Sequence, residues 1–132
     1  YIKRRKHLTL LTDREYKIPA AELERAFNES LQTLKLLGVR SSLYVDNSVS
    51  ILPGKTAIAV FDFYESVIET DTLGLTGIQV SLSNAVDLRL SLNVCCKADL
   101  SFLADNENVR YEKEDDEDYQ HLVYIVKGGA AK

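Results

Sequence analysis

Residues 78–94 place the tightest constraint on the fold. Ile78, Val80 and Leu82 alternate with Gln79, Ser81 and Ser83; Val86, Leu88, Leu90, Leu92 and Val94 alternate with Asp87, Arg89, Ser91 and Asn93. A period of two sends every apolar side chain to one face of a sheet and leaves the other face wet. Two such runs in succession read as an antiparallel hairpin. Its dry face must be covered, and on one side only, so the rest of the chain has to supply a layer of helices.

Two segments can do so. Between Pro19 and Leu37, the residues Leu23, Phe27, Leu31 and Leu34 recur at spacings of four, four and three, which gives one buried stripe. Pro19 suits the first helical turn, and Gly38 can close the end in a left-handed conformation. The second segment is Gly54 to Glu69. At 100° per residue, Ala57, Val60, Phe61, Tyr64, Val67 and Ile68 fall in one arc, with Asp62, Glu65 and Glu69 opposite. Ser41 to Val45 reads as a short strand followed by a polar turn, and Pro53-Gly54 punctuates the chain. Thr70 to Gly77 reads as a loop and Asp99 to Ala104 as a helical turn. Val109–Glu112 and Tyr119–Val126 form a second hairpin across an acidic turn.

The expected class is therefore α/β: a two-layer α/β sandwich whose mixed, largely antiparallel sheet is covered on one face by two long helices. Residues 19–127 make this domain. Residues 1–14 read as the end of a preceding helix, and 128–132 as a tail.

At 132 residues the chain suits one domain, with 45% apolar and 27% charged residues as in globular proteins. A net charge of −4 argues against general nucleic-acid binding. No apolar run reaches the ~18 residues of a membrane span, and no signal peptide is visible. The chain opens on Tyr1 and contains no methionine, so it reads as a segment of a longer polypeptide. Cys95 and Cys96 are adjacent and would point to opposite faces of a strand, which strains any disulfide between them. A reducing, cytoplasmic setting follows. Neither has a nearby histidine, so no metal site is assigned.

Several sharper motifs have plainer explanations. Lys3-Arg4-Arg5-Lys6 lacks interleaved aromatics and reads as a solvated helix face. Gly54-Lys55-Thr56 resembles the end of a P-loop, but Val49 stands where the motif needs its first glycine. The acidic run 112–118 lacks the alternating ligands and glycine of a calcium loop and reads as a turn that discourages edge pairing. His7 and His121 sit in different elements, with no carboxylate or cysteine at useful spacing.

Four segments together resemble the ATP-binding domain shared by histidine kinases, gyrase, Hsp90 and MutL. YIKRRKHLTLL is similar to the tail of the dimerisation helix of bacterial sensor kinases. AELERAFNESLQTLKLLGVRSSLYVD resembles their first helix and strand. FDFYESVIE stands in the place of the Glu-x-x-x-Asn motif, and LVYIVKGG is similar to the closing strand. The resemblance implies Glu65 as the catalytic base, with Glu69 in the position of the magnesium-holding Asn. Asp99 is the candidate for the adenine contact. It also implies Mg-ATP as cofactor, a homodimer through the preceding helix, a response regulator as partner, and possible tethering to the membrane through other regions.

The departures matter as much. The family's Asp-x-Gly-x-Gly should follow the hairpin, yet NVCCKADLSFLAD contains no glycine. No glycine-rich lid follows it. One hydrogen bond to a charged group contributes roughly 1.5–3 kcal/mol, so losing several phosphate donors costs many orders in affinity. Glu69 adds negative charge beside a polyanion. The expectation is a degenerate catalytic domain of a sensor histidine kinase, with ATP binding weak or lost. The alternative is a non-catalytic interaction module on the same scaffold.

Overall fold

The computed structural model describes residues 17–84, 86–113 and 118–126. The expected helix tail over 1–14, His7, the basic cluster, the centre of the acidic run and the tail over 128–132 lie outside the described residues.

The element order is β1 (Lys17–Pro19), α1 (Ala20–Leu36), β2 (Arg40–Val45), β3 (Ile51–Pro53), α2 (Gly54–Thr70), β4 (Gly77–Asn84), β5 (Leu88–Cys95), a 3-10 turn (Ser101–Asp105), β6 (Val109–Glu112) and β7 (Tyr119–Val126). The main sheet has the order β2-β4-β5-β7-β6. Only β2 and β4 pair in parallel, with α2 in the crossover between them; the other three pairings are antiparallel.

Register puts the expected dry face together. Leu43, Val80, Leu92 and Leu122 are paired in a row, as are Val45, Leu82, Leu90 and Tyr124. Both helices pack on this face. Leu23, Phe27, Leu31 and Leu34 of α1 are buried, as is the whole predicted arc of α2. Phe27 touches Phe61 and Tyr64 at ring-centroid distances of 5.3 and 4.9 Å, the second edge-on. The Ser30 and Tyr64 hydroxyls meet at 2.8 Å inside the same interface. From the sheet side of α2, Phe63 stacks on Tyr124 of β7 at 5.0 Å.

The end of α1 follows from its sequence. Gly38 has φ of 89°, its N–H donates to Lys35 O, and the Val39 N–H donates to Leu34 O, both at 3.0 Å. That pair of bonds caps the last free carbonyls, and the left-handed residue it needs is a glycine.

Four local expectations need correction. Pro19 stands just before the first helical turn, in extended conformation as the residue preceding Ala20. Its φ and lack of an N–H serve as well there as inside the helix. Pro19 and Pro53 instead end the strands of an unforeseen two-stranded sheet, β1 with β3. Three-residue strands are too short to show a period. Val86 is exposed in the turn rather than on the strand. The helical turn starts at Ser101, because Asp99 is used to order its entry.

Candidate functional site

Helix α2 sorts its acidic residues differently from simple opposition. Glu65 is only 7% exposed, at the border of the apolar arc, whereas Glu69 is exposed and Asp62 half-buried. Lys55, Asp62, Ser66 and Glu69 fall within about 60° of one another at 100° per residue and form the least buried stripe. The polar pair four residues apart on this stripe is Asp62 and Ser66. Glu65 and Glu69 do not share one exposed edge, because Glu65 lies between half-buried Ile58 and buried Phe61 round the helix.

The loop after β5 is where a nucleotide base would be held if the family pattern applied. Its backbone donors are used within the protein. The Lys97 and Ala98 N–H groups both donate to Asp71 Oδ2, at 3.0 and 2.9 Å. The Leu100 N–H donates to Gln120 Oε1 at 2.8 Å, and the Ser101 N–H to Asp99 Oδ1 at 2.9 Å. Asp99 is exposed and orders the entry to the 3-10 turn. Its carboxyl lies below the usual carboxylate range, chiefly because of the Ser101 N–H.

Two residues that sequence reasoning passed over build this loop. Asp71 follows the last turn of α2 and takes a third donor, the Gly74 N–H, at 3.0 Å. A side chain at Gly74 would collide with that carboxylate, so glycine is required for the approach. The spacing Asp71-Thr72-Leu73-Gly74 was a readable turn signal. Gln120 is 2% exposed on the inward face of β7. Its Oε1 also accepts from the Tyr111 hydroxyl at 2.9 Å, and its Nε2 donates to Ala98 O at 2.8 Å. Its signal was a polar residue in the apolar phase of an alternating strand, two before Leu122. Asp71 thus ties the end of α2, one residue past Thr70, to the loop containing Asp99. Glu69 lies close in sequence to this junction; Glu65 lies more than a turn further back.

Asp71 supplies a pH prediction. Its carboxyl is held below its ordinary value, mainly by the Ala98 N–H. A depressed folded pKa gives stability that is full above the unfolded carboxylate value and lost as pH falls through the folded value. Asp71→Asn is therefore expected to be less stable than wild type at neutral pH, with the gap closing on acidification below about pH 4. Thermal unfolding of both proteins across pH 2–7 measures this, and a gap that does not shrink in acid contradicts it.

The other face of the sheet is wet, apart from Val123 and Ile125 on β7. Gln79, Asn93 and His121 are aligned by register across β4, β5 and β7. Asn93 Nδ2 donates to Gln79 Oε1 at 3.3 Å, and His121 Nδ1 meets Asn93 Oδ1 at 2.6 Å. His121 therefore lies within a strand and has an amide partner. A notch of about 230 Å³ on this face is lined by Arg40, Ser41, Ser42, Ile78, Gln79 and Tyr119. It includes none of Glu65, Glu69 and Asp99. Cys95 and Cys96 are free thiols. Among the described residues no group of three or more His, Cys, Asp or Glu could hold a metal, and no helix is long and apolar enough to cross a membrane.

The architecture is that of histidine-kinase catalytic domains. The chain is similar to the cytoplasmic segment of histidine kinase QseC, with 14% identity and a TM-score of 0.53 over 95% of this chain and 88% of that one. It is similar to the nucleotide-free catalytic domain of histidine kinase ThkA, with 12% identity and a TM-score of 0.52 over 85% and 95%. The histidine kinase domain of the blue-light-activated kinase of Erythrobacter litoralis EL346 superimposes with a TM-score of 0.57 at 12% identity, over 95% of this chain and 73% of that one. No family model matches the chain, and no curated protein matches it in sequence.

Proposed function

We propose that this chain, which has the histidine-kinase ATPase fold, is a degenerate catalytic domain of a bacterial sensor histidine kinase that binds ATP weakly or not at all. One observation carries the reading. The four loop donors of Lys97, Ala98, Leu100 and Ser101 are spent on Asp71, Gln120 and Asp99. To bind the base or phosphates, they would have to give up charge-assisted or buried bonds.

On this reading the residues present do not suit Mg-ATP. The loop has no glycine to let a nucleotide approach the backbone, and residues 96–108 pass directly from β5 to β6 through one short turn. Glu69 adds charge of the wrong sign for a polyphosphate. Glu65, the family's base by position, is largely withdrawn from solvent. No phosphotransfer step is assigned.

Such a domain acts by conformation and by contact with other proteins: a dimer partner through the preceding segment, and a response regulator, in the cytoplasm. The wet sheet face favours the second reading, a non-catalytic interaction module, since it leaves a broad polar surface that the core does not use.

Isothermal titration of the chain with Mg-ATP tests the first claim. Affinity no tighter than about 1 mM is expected; low-micromolar binding would overturn it. In the full-length protein, Glu65→Gln is expected to leave any autophosphorylation unchanged.

A further inference from the structure

We infer that the notch on the wet sheet face is a binding site for a small carboxylate. Between its lining residues Arg40 and Tyr119 the sheet carries a glycine at residue 77. Arg40, Gly77, Cys95 and Tyr119 are paired in one row across four strands, and Gly77 leaves a gap in the row of side chains. A Cβ there would lie 3.2 Å from the Tyr119 hydroxyl and 3.7 Å from Cys95 Cβ, so the tyrosine leans across the sheet into the space glycine leaves. Arg40 closes the opposite side, held at the start of β2 by its N–H bond to Thr76 O at 3.1 Å.

Among the described residues the polar lining is one cation, Arg40, the hydroxyls of Ser41, Ser42 and Tyr119 and the amide of Gln79, with no acidic side chain. Gln79 is oriented by its neighbours. Asn93 Oδ1 is an acceptor, so His121 Nδ1 carries the proton between them. Asn93 Nδ2 then occupies Gln79 Oε1, which leaves the Gln79 amide N–H groups as the unused end. A lining that combines one arginine with hydroxyl and amide donors suits a carboxylate better than a cation. The volume, about 230 Å³, is below the range that holds drug-sized molecules, so the ligand is small. The site lies on the face opposite the helices and does not depend on the nucleotide reading.

An NMR titration of the intact chain with benzoate, acetate and inorganic phosphate tests the assignment. Saturable shifts are expected at the amides of Arg40, Gln79 and Tyr119 with both carboxylates, and weaker ones with phosphate. Arg40→Gln should weaken benzoate binding about tenfold or more, the equivalent of one charge-assisted bond. Arg40→Lys, which keeps the charge but not the fork, should fall between. Gly77→Ala, which displaces the Tyr119 hydroxyl, should weaken binding in a protein whose Tm shows that it still folds. Absence of saturable shifts at these amides, unchanged affinity in Arg40→Gln, or tighter binding of phosphate than of either carboxylate would overturn the inference.

Discussion

Phe27→Ala is expected to destabilise the protein by about 3–5 kcal/mol, the range for removing a large aromatic from a packed core. Phe27 is fully buried and is the one residue of α1 in ring contact with both Phe61 and Tyr64 of α2. Truncation opens a cavity between the two helices, where neither can collapse inward because both already rest on the sheet. The aromatic contacts add their own share, about 0.5–1.5 kcal/mol per pair. Phe27→Leu, which keeps most of the volume, should cost about 1–2 kcal/mol. Urea or thermal unfolding separates the two. Equal and small losses in both variants would mean that the helices do not share this interface.

The second large effect is expected at Gln120. Gln120→Leu keeps the size of the side chain but leaves the Leu100 N–H, the Ala98 carbonyl and the Tyr111 hydroxyl without their partner. Each buried group left unsatisfied costs about 1–3 kcal/mol, and Tyr111 recovers part of its share from water. A total of about 3 kcal/mol is expected, with a fall in Tm of about 10 °C. Hydrogen exchange at Leu100 should rise more than at amides of the helix interface, because the damage is local to the loop. Gln120→Glu gives a signed control. It keeps the acceptor for Leu100 but, when ionised, turns an oxygen towards the Ala98 carbonyl. Burial raises such a carboxyl's pKa, so this variant should be more stable in acid and lose stability as pH rises through that value. A Gln120→Leu protein with unchanged Tm would remove the loop's supposed anchor.

The large elements were legible because each has a long periodic signal. The apolar arc of α2 and the four α1 positions are buried as read, and the alternation over residues 78–94 became β4 and β5 with one wet face. The pairing of β1 with β3 was not legible, since two strands of three residues show no period and their contact joins residues more than thirty apart. The candidate site was less legible than the fold. Glu65, Glu69 and Asp99 were chosen by position in a motif, and the structure buries the first, exposes the second and gives the third a turn to hold. Asp71 and Gln120 each carried a local clue, but a clue to polarity does not say which backbone group will be met.

Sequence by itself determined which residues share a face, because the periods 3.6 and 2.0 are properties of the backbone and need no partner. It also determined that the loop after β5 would lack the freedom of glycine. Only the tertiary structure decided that β2 and β4 run parallel, that Glu65 lies largely out of solvent, and that the carboxylate of Asp71 takes up three backbone donors from two separate loops. Those outcomes depend on contacts between distant segments. Their free energy exists only after the chain has closed, and no local pattern encodes it.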